Sequence, residues 1–273
     1  MSNNVTGTAF IVAEFRAEEN AETDPLYTDN VVKIWLNEET QKIASEIAQN
    51  SPAAKEMIKL RTKYFDDVLS NQILAGCKQV VILGSGLDTR AARMNGEGVD
   101  YWEIDDRATL ELKALTLKAH KITANVRYIP GDYVQDGLIA LLRQNQFDFE
   151  QPTYFLWEGN TTLIAKKDVI FVLEQIRENV KSFKLSFDYM SEKVIARTTG
   201  YQDINDYIDK YESIYTPWIT GFENIETLAE ELKLKIIDNF STAELHQQYR
   251  PHRSLESNLL RFYFVCTLEG ISE

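Results

Sequence analysis

The sequence predicts an α/β protein built on a mostly parallel, doubly wound sheet, and three observations support that prediction. From residue 79 onward, short β-branched or aromatic runs alternate with helical stretches, as in successive βαβ units. The first run ends in a Gly-x-Gly turn that leads into a helix. With 273 residues and 44% hydrophobic content, the chain is also long enough to bury one full core.

Seven strands are predicted from these runs. Five are QVVIL (79–83), DYWEI (100–104), NVRYI (125–129), PTYFLW (152–157) and FKLSFDY (183–189), with helical segments around 106–119, 136–145 and 166–181. The runs KLKIIDNF (233–240) and LLRFYFVCTL (259–268) show no comparable helix between them, so they predict a closing antiparallel pair.

Helical sequence precedes the sheet and interrupts it once. About seventy residues at the N-terminus predict a helical cap, in which Ser51 and Pro52 start a helix. A later stripe predicts a helix that packs its apolar side on the domain, or alternatively lines a substrate site; it comprises Ile204, Tyr207, Ile208, Tyr211, Tyr215 and Trp218. We expect a single domain over 1–273, divided into a cap (1–75), a ligand-binding core (76–188), an insertion (189–222) and closing strands (223–273).

Composition excludes several classes of function. The net charge is −13 without a dense basic cluster, which argues against a nucleic-acid partner. No run of eighteen apolar residues or basic leader is present, so we expect no membrane partner and a cytoplasmic protein. Two distant cysteines and three scattered histidines predict neither a disulfide framework nor a metal site. Nothing in the sequence indicates the oligomeric state.

The turn LGSGLDTR (83–90) predicts a ligand site at the end of the first strand. Glycines at 84 and 86 let a ligand approach the backbone, and we expect free N–H groups there, including that of Ser85. Thr89 stands where the dinucleotide-binding motif has its third glycine, which argues against NAD as the ligand. Asp88 is interpreted as a cap of the next helix, and Arg93 as a surface residue.

Acidic residues follow three further strands. Asp105 ends the second strand, twenty-one residues after Gly84, where a carboxylate accepts from both ribose hydroxyls. Asp132 follows the third strand and suits the amine of adenine, while Glu158 follows the fourth. Asp132 or Glu158 alone could be an ordinary acidic residue of a loop. Asp106 is interpreted as the cap or a first-turn residue of the next helix. Acids without a phosphate clamp favour a cationic nucleoside, and S-adenosylmethionine is such a molecule.

The chain resembles the leucine carboxyl methyltransferase family, in its bacterial branch of S-adenosylmethionine-dependent O-methyltransferases, over nearly its whole length. The stretches that carry the resemblance are GTAFIVAEFRAEENAETDPLY (7–27), RTKYFDD (61–67), QVVILGSGLDTRAARM (79–94), YWEIDDRATLELK (101–113), Asp132 with Tyr133, and FDFEQPTYFLWEGN (147–160). The resemblance implies a class I (Rossmann-like) methyltransferase fold: seven strands, mostly parallel, with an antiparallel last strand and a helical N-terminal cap.

The same resemblance implies roles for individual residues. Arg61 would bind the carboxylate of S-adenosylmethionine, Gly84 would admit its methionine part, and Glu158 would hold its amino-acid end. Asp105 would hold the ribose, and Asp132 with the backbone of Tyr133 the adenine; the family usually has Leu at that second position. The eukaryotic members that methylate protein phosphatases have a Lys near the position of Ala9, and that Lys helps to bind the cofactor. Its absence here disfavours a protein C-terminus as the substrate.

The expected reaction is methyl transfer to a carboxylate or hydroxyl of a small molecule, in which positioning and water exclusion do most of the work. We expect the acceptor to enter between the N-terminal helices and the insertion, where Tyr207, Tyr211, Tyr215 and Trp218 could stack on it. No catalytic base can be named from the sequence. The alternatives are an NAD-dependent oxidoreductase and a protein that binds S-adenosylmethionine without turnover.

Overall fold

A computed structural model describes residues 6–50, 52–212 and 216–271. Its seven strands are β1 (Gln79–Leu83), β2 (Asp100–Asp105), β3 (Val126–Pro130), β4 (Thr153–Trp157), β5 (Ser182–Met190), β6 (Lys235–Ser241) and β7 (Tyr263–Ile271). They form one sheet in the order β3-β2-β1-β4-β5-β7-β6. The pairings among β1 to β5 are parallel, and β7 runs antiparallel to both β5 and β6. The predicted sheet is therefore confirmed.

Eleven α-helices surround the sheet in the described part of the chain. They are α1 (Thr6–Glu18), α2 (Glu38–Asn50), α3 (Pro52–Leu74), α4 (Arg90–Arg93), α5 (Arg107–Ala119), α6 (Leu138–Gln144), α7 (Lys166–Asn179), α8 (Glu192–Ile195), α9 (Gln202–Glu212), α10 (Ile225–Glu231) and α11 (Thr242–Tyr249). A π-helical turn, Tyr133–Gly137, leads into α6. As predicted, α3 begins at Pro52, whereas Ser51 lies outside the described residues.

Both faces of the sheet are buried, because alternate side chains of each strand point to opposite sides. On one face, Val81 and Leu83 join a core with α6, α7 and α10. On the other face, Val80 and Ile82 pack with Leu60 and other residues of α3, and with α11. Helix α3 therefore belongs to the core of the sheet as well as to the N-terminal cap.

The chain departs from the sequence-based expectation at two helices. Helix α11 connects β6 to β7, where no comparable helix was expected; its eight residues start at a capping box between Ser241 and Glu244. The insertion helix α9 is described from Gln202 to Glu212, and Trp218 lies in a non-helical stretch rather than on the face of the helix. Tyr215 lies outside the described residues.

The order of the strands places a crevice beside β1. The chain passes from β1 to β2 on one side, and β4 pairs with β1 on the other side. In such sheets, ligands bind where the connections diverge, outside the carboxyl ends of the strands. The turns after β1 and β4 flank this point. No helix in the described residues is long and apolar enough to cross a membrane.

Candidate functional site

The turn after β1 faces the turn after β4 across the crevice. Gly84 and Gly86 both have positive φ, 60° and 46°, a conformation that glycine adopts without strain. A Cβ on Gly84 would lie 2.5 to 2.6 Å from the side-chain amide of Asn160, whose Nδ2 donates to the Gly84 and Glu158 carbonyls at 3.2 and 2.7 Å. Glycine is thus required at residue 84 by its conformation and by Asn160.

The backbone N–H groups of this turn are used inside the protein. Those of Gly84 and Ser85 donate to the Ile104 carbonyl at 2.9 and 3.2 Å, and that of Gly86 donates to Asp105 Oδ2 at 2.6 Å. The expectation of free N–H groups was wrong, because β2 extends past the turn and satisfies them. A turn with its donors occupied is poorly suited to phosphate.

Asp105 lies at the carboxyl end of β2, next to this turn. Besides Gly86, its carboxylate accepts from the Asp106 N–H at 2.7 Å. Burial raises the pKa of Asp105, although both hydrogen bonds oppose the rise. Asp106 caps α5 by accepting from Thr109 N at 3.0 Å, as predicted. The two neighbouring acids therefore have different roles: Asp106 caps α5, whereas Asp105 joins the end of β2 to the turn after β1.

Asp132 and Tyr133 follow β3 in the π-helical turn. Asp132 is exposed, and its Oδ1 accepts from the N–H groups of Val134 and Gln135 at 2.9 and 3.1 Å. The Tyr133 side chain is buried in the core, where its hydroxyl accepts from Trp157 Nε1 at 3.0 Å. The side chain of Tyr133 is therefore turned to the core, and a ligand contact through its backbone stays a prediction.

Arg61 of α3 reaches the turn after β4. Its Nε donates to Glu158 Oε1 at 3.1 Å, and its Nη1 donates to Asp188 Oδ2 at 3.0 Å and to the Tyr263 hydroxyl at 2.6 Å. Burial alone would lower the pKa of Arg61, but Tyr263, Asp188 and Glu158 outweigh it and raise that pKa. Arg61 and Glu158 were each predicted to bind the same cofactor molecule. The structure shows that they also contact each other.

Arg61 is part of a larger buried cluster, which we term the arginine–carboxylate cluster. Its members are Arg16, Arg61, Arg90 and Arg93 with Asp29, Asp66, Asp88, Glu158 and Asp188. Arg90 lies at its centre, fully buried, with Nη1 at 2.8 Å from Glu158 Oε2 and Nε at 2.8 Å from Asp66 Oδ1. Five carboxylates against four guanidinium groups leave one negative charge in excess.

Sequence reasoning missed most of this cluster. Arg93 is not a surface residue: its side chain is 10% exposed, and its Nη2 donates to Asp66 of α3 at 2.7 Å. Asp88 accepts from the Arg90 N–H at 2.7 Å and pairs with its guanidinium. The interpretation of Asp88 as the cap residue was wrong, because the N-cap of α4 is Thr89 and Asp88 precedes it. Arg90 and Asn160 had no signal beyond their nearness to the two turns, and Asp188 lies within β5.

A cavity of about 110 Å³ opens beside Arg61. Aliphatic side chains of α1, α2 and α3 line one wall, and Tyr207, Tyr211 and Trp218 line another. The Tyr211 and Trp218 rings lie 4.5 Å apart between centroids. Tyr263 and Arg61 provide polar groups at the side near the sheet. The cavity lies between the cap and the insertion, and its use by an acceptor stays a prediction.

The sheet order and the position of the site define the class I (Rossmann-like) methyltransferase fold. A family model described as leucine carboxyl methyltransferase matches residues 9–177, more than half of the chain. The chain therefore belongs to the leucine carboxyl methyltransferase family.

Similar proteins agree with this assignment. A Mycolicibacterium smegmatis protein, named a candidate S-adenosyl-L-methionine-dependent methyltransferase, is 36% identical over 180 residues, with 58% of this chain and 55% of the relative covered. The chain thus spans little more than half of that relative's length.

Two solved structures are similar in fold, at identities that support the fold alone. A DUF574 family protein from Streptomyces avermitilis has a TM-score of 0.64, 12% identity and coverage of 94% of this chain and 96% of that one. Magnesium protoporphyrin IX methyltransferase from Synechocystis, solved with bound SAH (S-adenosylhomocysteine), has a TM-score of 0.51, 9% identity and coverage of 97% and 99%.

Proposed function

We propose that this protein is a methyltransferase that uses S-adenosylmethionine to methylate an oxygen atom, carboxylate or hydroxyl, of a small molecule. The observation that carries the proposal is the Arg61–Glu158 pair, which lies beside the Gly84 turn in a chain of this family. A guanidinium can pair with the carboxylate of an amino acid, and a neighbouring carboxylate can pair with its ammonium group. The cofactor carries both groups.

The residues present fit this cofactor. Arg61 would hold its carboxylate, Glu158 its ammonium group and Asp105 its ribose, while Asp132 and the Tyr133 backbone would meet the adenine. The excess negative charge of the arginine–carboxylate cluster suits a ligand with a net positive charge. Occupied N–H groups in the turn at 84–86 fit a ligand without phosphates. When bound, the cofactor supplies a methyl group that is already activated for displacement.

The protein's own contribution would be orientation and exclusion of water. The cavity beside Arg61 has apolar and aromatic walls, and its volume of about 110 Å³ approaches that of a cavity of about 150 Å³ that holds benzene. Tyr207, Tyr211 and Trp218 offer flat faces against which such a ring can stack. We therefore favour a small acceptor with an apolar body over the C-terminus of a protein.

Calorimetry separates this proposal from its alternatives. S-adenosylmethionine and S-adenosylhomocysteine should bind with at least about micromolar affinity, a free energy near 8 kcal/mol, whereas NAD should give no measurable heat. Tighter binding of NAD would replace the proposal by an oxidoreductase. Incubation with methyl-labelled S-adenosylmethionine and small aryl acids and alcohols then tests turnover. Binding with no label transferred to any acceptor would favour a binding protein.

A further inference from the structure

Tyr263 presents one unused hydrogen-bonding position to the cavity. Its hydroxyl accepts from Arg61 Nη1 at 2.6 Å and donates its proton to Asp188 Oδ2. A phenolic oxygen has one proton and two lone pairs, so one lone pair remains. Because Tyr263 lines the cavity, a ligand there can reach this lone pair. Such a position binds a group that brings a proton, as a hydroxyl does, and repels an ionised carboxylate.

The charge of the site favours the same kind of ligand. The arginine–carboxylate cluster carries one excess negative charge, and the proposed cofactor, with sulfonium, ammonium and carboxylate groups, brings one positive charge. The two together are neutral. A second ligand that is neutral keeps this balance, whereas a carboxylate in the same cavity would add a buried, uncompensated charge.

Tyr263 lines the cavity, and its hydroxyl is hydrogen-bonded to a buried carboxylate. Among the described residues, those that line the cavity include no carboxylate and no imidazole. Asp188 lies directly behind Tyr263, 1% exposed, with its Oδ1 held by the Gly159 N–H at 2.6 Å. Burial raises the pKa of Asp188 despite the neighbouring Arg61, which makes its carboxylate a better proton acceptor.

We propose, on the basis of the proposed function, that the methyl acceptor is a hydroxyl on an apolar, ring-sized body, and that Tyr263 is the catalytic residue that takes its proton. The acceptor oxygen forms a bond to the methyl carbon while the carbon–sulfur bond breaks and its electron pair stays on sulfur. In the same step, the acceptor proton moves to Tyr263 Oη and the Tyr263 proton moves to Asp188 Oδ2. When the product leaves and water enters the cavity, Tyr263 passes one proton to that water and Asp188 returns a proton to Tyr263 Oη, which completes the release of the acceptor proton to solvent.

Matched aryl ligands test the choice between hydroxyl and carboxylate without any need for the natural acceptor. Phenol against benzoate, and 2-naphthol against 2-naphthoate, are titrated by calorimetry into the protein saturated with S-adenosylhomocysteine. We expect the hydroxyl member of at least one pair to bind about tenfold more tightly, the scale of one hydrogen bond. With S-adenosylmethionine, the product should be the methyl ether.

Tyr263→Phe keeps the ring and removes the hydroxyl. It should abolish the preference for the hydroxyl ligand and lower kcat about 100-fold, as expected when a proton acceptor is lost, while Arg61 keeps its pairs with Glu158 and Asp188 and still supports S-adenosylhomocysteine binding. The control is Tyr249→Phe, since the Tyr249 hydroxyl also donates to a carboxylate, Asp67 at 3.1 Å, but lies outside the cavity lining. It should retain both properties.

Several results would overturn the inference. Tighter binding of the carboxylate members, a methyl ester as the favoured product, or binding of neither member of either pair would each contradict a ring-sized hydroxyl acceptor. If Tyr263→Phe weakened S-adenosylhomocysteine binding as strongly as hydroxyl binding, Tyr263 would serve only to hold Arg61. A parent protein that does not bind S-adenosylhomocysteine would instead refute the proposed function itself.

Discussion

Arg61 and Glu158 are 97 residues apart in the sequence, yet Nε of the arginine lies 3.1 Å from Oε1 of the glutamate. One belongs to the long helix of the cap and the other to the turn after β4. The pair therefore joins the cap to the sheet at the edge where the proposed cofactor would bind. A ligand that contacts both groups must act on the position of the cap as well.

Replacing Arg61 by Lys tests this contact between the cap and the sheet. Lysine keeps the charge but has one nitrogen, so it cannot contact Glu158 and Asp188 from separate nitrogens as Arg61 does. We expect S-adenosylhomocysteine affinity to fall about tenfold, equivalent to roughly 1.4 kcal/mol, as measured by calorimetry. Arg253→Lys is the control, because the Arg253 side chain is 45% exposed and pairs with Glu22, and neither residue lines the cavity.

Hydrogen exchange should report the same coupling in the parent protein. With the ligand bound, amides of α1 and α3 should exchange more slowly than in the free protein. The ligand would contact Arg61 on α3 and so stabilise the cap against local opening. Equal exchange in both states, together with parent-like binding by Arg61→Lys, would mean that Arg61 serves the fold alone.

Glu158→Gln should separate the amino-acid end of the site from its nucleoside end. The substitution removes the excess negative charge and the proposed partner of the ligand's ammonium group. S-adenosylhomocysteine should lose about 10- to 100-fold in affinity, the range for a charged hydrogen bond. 5′-Methylthioadenosine lacks the amino-acid part, so its affinity should stay within about twofold on the same grounds. Equal losses for both ligands would show that Glu158 only maintains the cluster.

Cofactor binding should weaken at acidic pH through Asp105. Its carboxylate must be ionised to accept from two ribose hydroxyls, and burial raises its pKa in the free protein. The affinity is therefore complete above this raised pKa and falls as the pH drops through it, at higher pH than for an exposed aspartate. Calorimetry with S-adenosylhomocysteine across this range checks the slope, and Asp105→Asn should bind weakly with little pH dependence. A parent affinity that is flat down to the ordinary pKa of aspartate would contradict this role.

The sheet and the positions of most site residues could be predicted because they depend on local pattern. A buried strand appears in the sequence as a short apolar run. A Gly-x-Gly turn or an acidic residue directly after such a run indicates the crevice at the carboxyl ends of the strands. Strand β4 was expected at 152–157 and runs from Thr153 to Trp157. Such features require no knowledge of what packs against them.

The arginine–carboxylate cluster could not be predicted, since its partners come from distant parts of the chain. Arg93 contacts Asp66 on α3, and Arg16 on α1 contacts Asp29. In the sequence these are ordinary charged residues, and only the tertiary structure brings them together and buries them. The same limit applies to the insertion, where the predicted apolar stripe included Trp218 although Trp218 is not helical.

The contact between Gly84 and Asn160 supports a prediction about stability. Gly84→Ala places a Cβ 2.5 Å from the Asn160 amide, and the positive φ of 60° adds strain for any residue with a side chain. We expect Gly84→Ala to destabilise the free protein by about 2 to 3 kcal/mol, a fall in Tm of roughly 5 to 10 °C for a chain of this size. Asn160→Ala alone should cost about 1 kcal/mol through lost hydrogen bonds.

The double variant Gly84→Ala/Asn160→Ala distinguishes the clash from the strain. Removing the amide relieves the clash but leaves the backbone conformation unchanged, so the double variant should be more stable than the sum of the two single losses by about 1 kcal/mol. Thermal unfolding without ligand measures all four proteins of the cycle. Strictly additive losses would mean that Asn160 moves aside freely, and that φ alone dictates glycine at this position.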